Sequence, residues 1–161
     1  MTISVGDKLP EATFMHLTPD GPATLTGTDV FAGKKVVMFA VPGAFTPTCH
    51  HKHLPGFINN AQELKARGVD TIACVSVNDP FVMEAWAAVT DAGDKIQFLA
   101  DPDASFAKAI GMDFDLSVAG LGTRTKRYAM LVEDGEVKVF NVESAPGQAE
   151  ESSAEEMLKA L

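Results

Sequence analysis

The chain is short of cysteine and of basic residues, and it contains no long apolar run. Two cysteines in 161 residues cannot staple a disulfide framework; in a reducing compartment such cysteines are catalytic, metal-bound or buried. Lysine and arginine number 13 against 22 aspartates and glutamates, for a net charge of −9. Phosphates need a basic surface, so nucleic acid and anionic membranes are poor partners. A small neutral substrate is indifferent to that field. The longest apolar stretch, Val36 to Val41, is far below the ~20 residues that a membrane helix needs. No basic segment followed by an apolar core opens the chain, so the expected location is the cytoplasm.

What is present suits a soluble globular domain, with 46% apolar and 22% charged residues. No repeat, low-complexity linker or composition break divides it, which makes 1–161 one expected domain. The early turn signal Thr18-Pro19-Asp20-Gly21-Pro22 predicts short strands or a hairpin on either side. Lys35 to Val41 and Val69 to Val77 read as buried strands, the second carrying Cys74. Between them Thr46 can cap a helix that starts at Pro47 and runs to Gly68, with a kink expected at Pro55. Asp79-Pro80 opens another helix to about Val89; a third strand is expected at 96–99 and a short helix at 104–110. Asp134-Gly135 joins strands at 127–132 and 137–142 as a hairpin. Ser153 and Glu156 form a capping box for a terminal helix. The order predicts an α/β fold, a mixed central sheet with helices on both faces, compatible with a thioredoxin-like architecture.

The chemistry concentrates at Cys49. A thiolate is the nucleophile, and a free cysteine is only slightly ionised at neutral pH. In Thr46-Pro47-Thr48-Cys49 the sulfur falls in the first helical turn, near free N–H groups and the positive dipole end. The Thr46 hydroxyl can donate and accept, so it can orient a peroxide beside the sulfur. Pro42 would shield the site and stiffen its entrance. The alternative is a buried, inert Cys49, the common fate of a free cysteine. A nearby cation would favour the thiolate and polarise an O–O bond. Arg124, Lys126 and Arg127 form the densest basic patch. Arg127, at a strand start, is the candidate; a solvated patch is its alternative and the reading preferred for Arg124 and Lys126.

Val41-Pro42-Gly43-Ala44-Phe45-Thr46-Pro47-Thr48-Cys49 followed by His53-Leu54-Pro55-Gly56-Phe57 closely resembles the type II peroxiredoxins, the peroxiredoxin V group. Val75-Ser76-Val77-Asn78-Asp79-Pro80-Phe81-Val82, Leu99-Ala100-Asp101-Pro102 and Lys126-Arg127-Tyr128 carry the resemblance along nearly the whole chain. It implies a thioredoxin-like fold and reduction of hydrogen peroxide or alkyl hydroperoxides without metal or organic cofactor. It makes Cys49 the peroxidatic cysteine, Thr46 and Arg127 its activating partners, and Pro42 a pocket wall. It also implies a homodimer formed through the loops around the site, with Phe45, Pro47 and Phe81 as contributors.

Attack on a peroxide leaves a sulfenic acid that something must reduce. The stretch from Asn141 to Leu161 holds no cysteine, and Cys74 lies in a strand expected to be buried. The two-cysteine pattern is similar to members regenerated by glutathione or glutaredoxin, so an external thiol is expected, with thioredoxin the alternative. Cys49 and His53, four apart, suit two ligands of a zinc site, yet no second cluster completes one. His50, His51 and His53 are therefore read as solvated or locally capped. A thiol–disulfide reductase would want Cys-x-x-Cys, and here Thr46 holds the first position. A non-catalytic interaction module with an inert Cys49 is the remaining alternative. Trp86 reads as core, the glutamates at 150, 151, 155 and 156 as a solvated helix start, and Gly120-Leu121-Gly122 as a turn near the entrance.

Overall fold

Local signals place most elements where the computed structural model has them; it describes residues 2–145 and 147–161. The Pro19-Asp20 turn joins β1 (Thr13–Thr18) to β2 (Gly21–Thr26) in a full antiparallel ladder. A capping box at Thr26 and Asp29 starts α1 (Gly27–Phe31). The apolar run becomes β3 (Lys35–Val41), and β4 (Thr71–Ser76) and β5 (Gln97–Ala100) lie parallel to it in sequence. Asp134 and Gly135, both with positive φ (48° and 80°), close the hairpin of β8 (Tyr128–Glu133) and β9 (Glu136–Val142). β8 runs antiparallel to β3, which gives one seven-stranded mixed sheet in the order β2-β1-β5-β4-β3-β8-β9.

Side chains of β3 alternate between two cores, as a strand covered on both faces must. Val37, Phe39 and Val41 join one core with Leu54, Phe57, Leu64, Trp86 and Met157. Val36, Met38 and Ala40 join the other with Phe31, Phe106 and Ile110. Helices thus cover both faces, the expected thioredoxin-like architecture. α4 (Pro80–Val89), α5 (Ser105–Ala109) and α6 (Ala154–Lys159) occupy their expected places. The Asp79 carboxylate accepts from the Val82 N–H as its cap.

Three local expectations change. The helix after Pro47 is broken into a π-turn at Cys49–His53, then α2 (Leu54–Asn59) and α3 (Ala61–Ala66). Pro55 lacks an N–H and crowds the carbonyl four residues back, and the preceding turn widens to accommodate it. The second change is a separate ladder, β6 (Asp113–Asp115) with β7 (Thr123–Thr125). Its strands are too short for periodicity to reveal. At the C-terminus only half the capping box forms: Ser153 accepts from the Glu156 N–H, while the Glu156 carboxylate pairs with Lys159.

Candidate active site

β3 ends at Pro42-Gly43, where the chain leaves the sheet. The Ala44 N–H donates to Asn78 Oδ1 at 3.0 Å, and Ser76 Oγ donates to the same oxygen at 2.6 Å. This ties the loop to the end of β4. Phe45 takes a left-handed conformation, φ 68°, to turn the chain into the helix. Helical backbone starts at Pro47, as expected, so Cys49 is its third residue. The first helical bond runs from the His50 N–H to the Thr46 carbonyl at 2.8 Å. The N–H groups of Thr48 and Cys49 precede it and belong to the unsatisfied first turn.

The Cys49 sulfur is fully buried. Arg127, just ahead of β8 and itself 3% exposed, donates from Nη2 to Sγ at 3.0 Å. Of the two readings of Arg127, the buried cation against the sulfur is the one realised. Its Nη1 donates to His53 Nδ1 at 3.0 Å. His53 Nε2 faces the Ser152 carbonyl at 2.9 Å. A carbonyl only accepts and a guanidinium only donates, so the imidazole carries its proton on Nε2. Behind it, Glu143 Oε2 accepts from both the N–H and the hydroxyl of Ser152, each at 2.6 Å. The Glu143 N–H closes the circuit onto the Arg127 carbonyl at 3.0 Å.

Burial, and then the Arg127 charge, push the His53 pKa down from 6.5 to about 3. The expected solvated His53 is therefore corrected: it is buried, neutral and committed to Arg127. Its neighbour His50 accepts the Trp86 indole N–H at Nδ1, 3.0 Å away. His53 is thus organised around Arg127 and His50 around Trp86, while His51 is exposed as expected. Among the described residues no group of three or more metal-ligating side chains gathers.

Thr46 also differs from its expected geometry. Its hydroxyl donates to the Gly43 carbonyl at 2.6 Å instead of capping the helix. The hydroxyl proton is thereby spent, and the oxygen lone pairs are free to accept. Pro42 is buried, and its carbonyl accepts from Arg124 at 3.3 Å.

Comparison with known proteins gives the family. A family model described as Redoxin matches residues 4–158. Peroxiredoxin-2E-2, chloroplastic, of Oryza sativa subsp. japonica is 56% identical over 165 residues, covering 99% of this chain and 73% of that one. Peroxiredoxin-2B of Arabidopsis thaliana is 48% identical, covering 99% and 98% respectively. The chain belongs to the type II peroxiredoxins. Reduced Prx3 of Vibrio vulnificus, whose crystal structure holds hydrogen peroxide, matches this peroxiredoxin with a TM-score of 0.93. That structure is 52% identical, and the match covers 99% of each chain.

Other expected residues of the peroxiredoxin fall as follows. Trp86 is core, with no exposed surface. Lys126 is exposed, but Arg124 is half buried and turned inward, against the solvated reading. Cys74 sits opposite Phe39 in the sheet, wholly buried, and burial raises its thiol well above the usual range. Phe45 and Phe81 remain at the surface, 47% and 59% exposed. His53, Glu143 and Ser152 are the site residues that sequence reasoning missed. The first had a signal, its four-residue spacing from Cys49, which was weighed for metal and then set aside for a solvated or locally capped side chain.

The depressed His53 pKa fixes a pH dependence. The unfolded histidine binds a proton below about pH 6.5 and the folded one does not, so stability falls as pH drops. Between about pH 6.5 and 5, above the carboxylate range, this residue alone contributes a slope of roughly 1 kcal/mol per pH unit. His53→Gln can still accept from Arg127 and donate to Ser152 but does not titrate. Urea melts across that window are expected to be flatter for His53→Gln than for wild type. Equal slopes would contradict a neutral His53.

Proposed function

We propose that this peroxiredoxin reduces hydrogen peroxide and alkyl hydroperoxides at Cys49, and that an external thiol regenerates it. The observation that carries the reading is the buried Arg127 guanidinium 3.0 Å from the Cys49 sulfur. An opposite charge at that distance favours the thiolate. The Cys49 thiolate attacks one peroxide oxygen; the S–O bond forms as the O–O bond breaks. Water or alcohol leaves after the departing oxygen takes a proton, and Cys49 becomes a sulfenic acid. Arg127 and first-turn N–H groups would stabilise charge spreading onto the oxygens. Thr46, its own proton engaged by Gly43, would accept the peroxide O–H, while Pro42 keeps bulk water from the sulfur.

A first thiol then attacks the sulfenic sulfur, releasing water and leaving a mixed disulfide. A second thiol reduces that bond, so each turnover oxidises two thiols to one disulfide. Glutathione with glutaredoxin is the favoured donor and thioredoxin the alternative. The burial and raised pKa of Cys74 support an outside resolving thiol, because a buried neutral thiol is a poor nucleophile. The exposed rings of Phe45, on the loop leading to Cys49, and of Phe81, in the first turn of α4, support pairing with a second copy.

One experiment tests the reading. Fully reduced protein receives one equivalent of hydrogen peroxide, and the remaining thiols are counted in wild type and Cys74→Ser. Each is expected to lose one thiol rapidly, and Cys74→Ser should keep its glutathione-supported turnover. Loss of both thiols from wild type would make Cys74 the resolving residue. No rapid loss at all would end the peroxidase reading.

A further inference from the structure

The β6–β7 arm leaves the main sheet after α5 and rejoins it at Arg127. Between its strands the chain turns at Gly120 and Gly122, both with positive φ. Arg124 pairs with Phe114 in this ladder and sends its side chain back toward the end of β3. Its Nε donates to the Leu121 carbonyl at 2.9 Å, and its Nη1 donates to the Pro42 carbonyl at 3.3 Å. One guanidinium therefore joins the turn of the arm to the first residue beyond β3.

The fit around that guanidinium is close. A Cβ at Gly43 would stand 2.8 Å from Arg124 Nη1 and 3.2 Å from Thr46 Cγ2. Real Cβ atoms do not approach a neighbour that closely, so any side chain at Gly43 must push the guanidinium aside. What an added Cβ meets here is the tip of the Arg124 side chain and not a backbone constraint, since Gly43 has no positive φ. The Gly43 carbonyl accepts the Thr46 hydroxyl at 2.6 Å and the Thr46 N–H at 3.3 Å. A continuous run thus connects Leu121, Arg124, Pro42, Gly43 and Thr46, and Thr46 lies one helical turn before Cys49.

We propose that Arg124 is a positioning residue for peroxide reduction: it pins Pro42–Gly43, and through Gly43 the Thr46 hydroxyl, to the β6–β7 arm. This rests on the reading that Cys49 reduces peroxide. Arg124 acts through the pocket wall, whereas Arg127 meets the sulfur. Arginine suits the task because a planar fork donates to two carbonyls on different segments at once; a lysine ammonium lacks that fixed fork. Displacement of the wall misaligns the peroxide with the thiolate, and a shift of about 1 Å can slow an oriented reaction ~100-fold.

The test compares two second-order rates at Cys49, with hydrogen peroxide and with iodoacetamide, which needs the thiolate but no peroxide pocket. Arg124→Met removes the donors and keeps the aliphatic stem; Gly43→Ala perturbs the same contact from the other side. In both variants the peroxide rate is expected to fall about 10- to 100-fold, while alkylation stays within about twofold of wild type. Millimolar guanidinium should restore part of the peroxide rate to Arg124→Ala, which leaves room for it, and none to wild type. A peroxide rate in Arg124→Met within about twofold of wild type would overturn the proposal. So would a parallel change in both rates, which marks general loosening of the fold. Failure of wild type itself to react with peroxide would instead sink the underlying peroxidase reading.

Discussion

Cys49→Ser is expected to abolish peroxide turnover while leaving the fold intact. The substitution replaces sulfur by a smaller oxygen at a fully buried position, and a hydroxyl still accepts the Arg127 Nη2 proton. The packing loss is therefore small. The chemical loss is large, because a serine hydroxyl at neutral pH is a weak nucleophile and no general base stands ready to activate it. His53, which shares the Arg127 guanidinium with the sulfur, has its Nδ1 occupied by Arg127 and its Nε2 proton given to Ser152. Removing a nucleophile from a catalytic unit costs several powers of ten in rate, so a fall of at least about a thousandfold is expected. Peroxide consumption with a thiol reductant measures it, and a thermal melt checks that the variant is folded. Retained turnover would move the chemistry away from Cys49.

Arg127→Met should have the next largest effect. Methionine preserves much of the buried volume but removes the cation, so it separates charge from packing. Loss of a donor aimed at developing negative charge typically slows catalysis ~100- to 1000-fold, and that is the expected drop in the peroxide reaction. Without the guanidinium the sulfur also loses its nearby positive charge, so alkylation of Cys49 at neutral pH should be slower. His53 responds as well. Arg127 is the second cause of its lowered pKa, after burial, so the imidazole protonates more readily in the variant. An unchanged alkylation rate would remove Arg127 from thiolate stabilisation, whatever happens to the peroxide reaction. This distinguishes Arg127 from Arg124, whose loss is expected to slow the peroxide reaction and spare alkylation.

Much of the fold was legible because its signals are local. The apolar run of β3, the Asp79-Pro80 cap and the Asp134-Gly135 turn each depend on a few neighbouring residues. The β6–β7 arm was not legible; three-residue strands carry no period, and their pairing comes from contact with the rest of the chain. The π-turn at Cys49–His53 lay between these cases. Pro55 announces a disturbance, but whether the backbone kinks or widens depends on how the following segment packs.

The site divides in the same way. The sequence alone determined a cysteine in a first helical turn behind Thr46 and Pro42, since capping and proline chemistry act over three or four residues. It also restricted the partnering cation to a small basic patch. Arg127 was already its candidate member, but only the tertiary structure decided between a cation at the sulfur and a solvated side chain, because Arg127 reaches the sulfur across 78 residues of chain and His53 meets Ser152 across 99. Arg124 and Arg127 are neighbours in sequence with identical side chains. One faces the pocket wall and the other the sulfur because β7 ends at Thr125 and β8 begins at Tyr128, on different ladders. Side-chain direction there is set by which sheet each strand joins, a long-range pairing that no local pattern encodes.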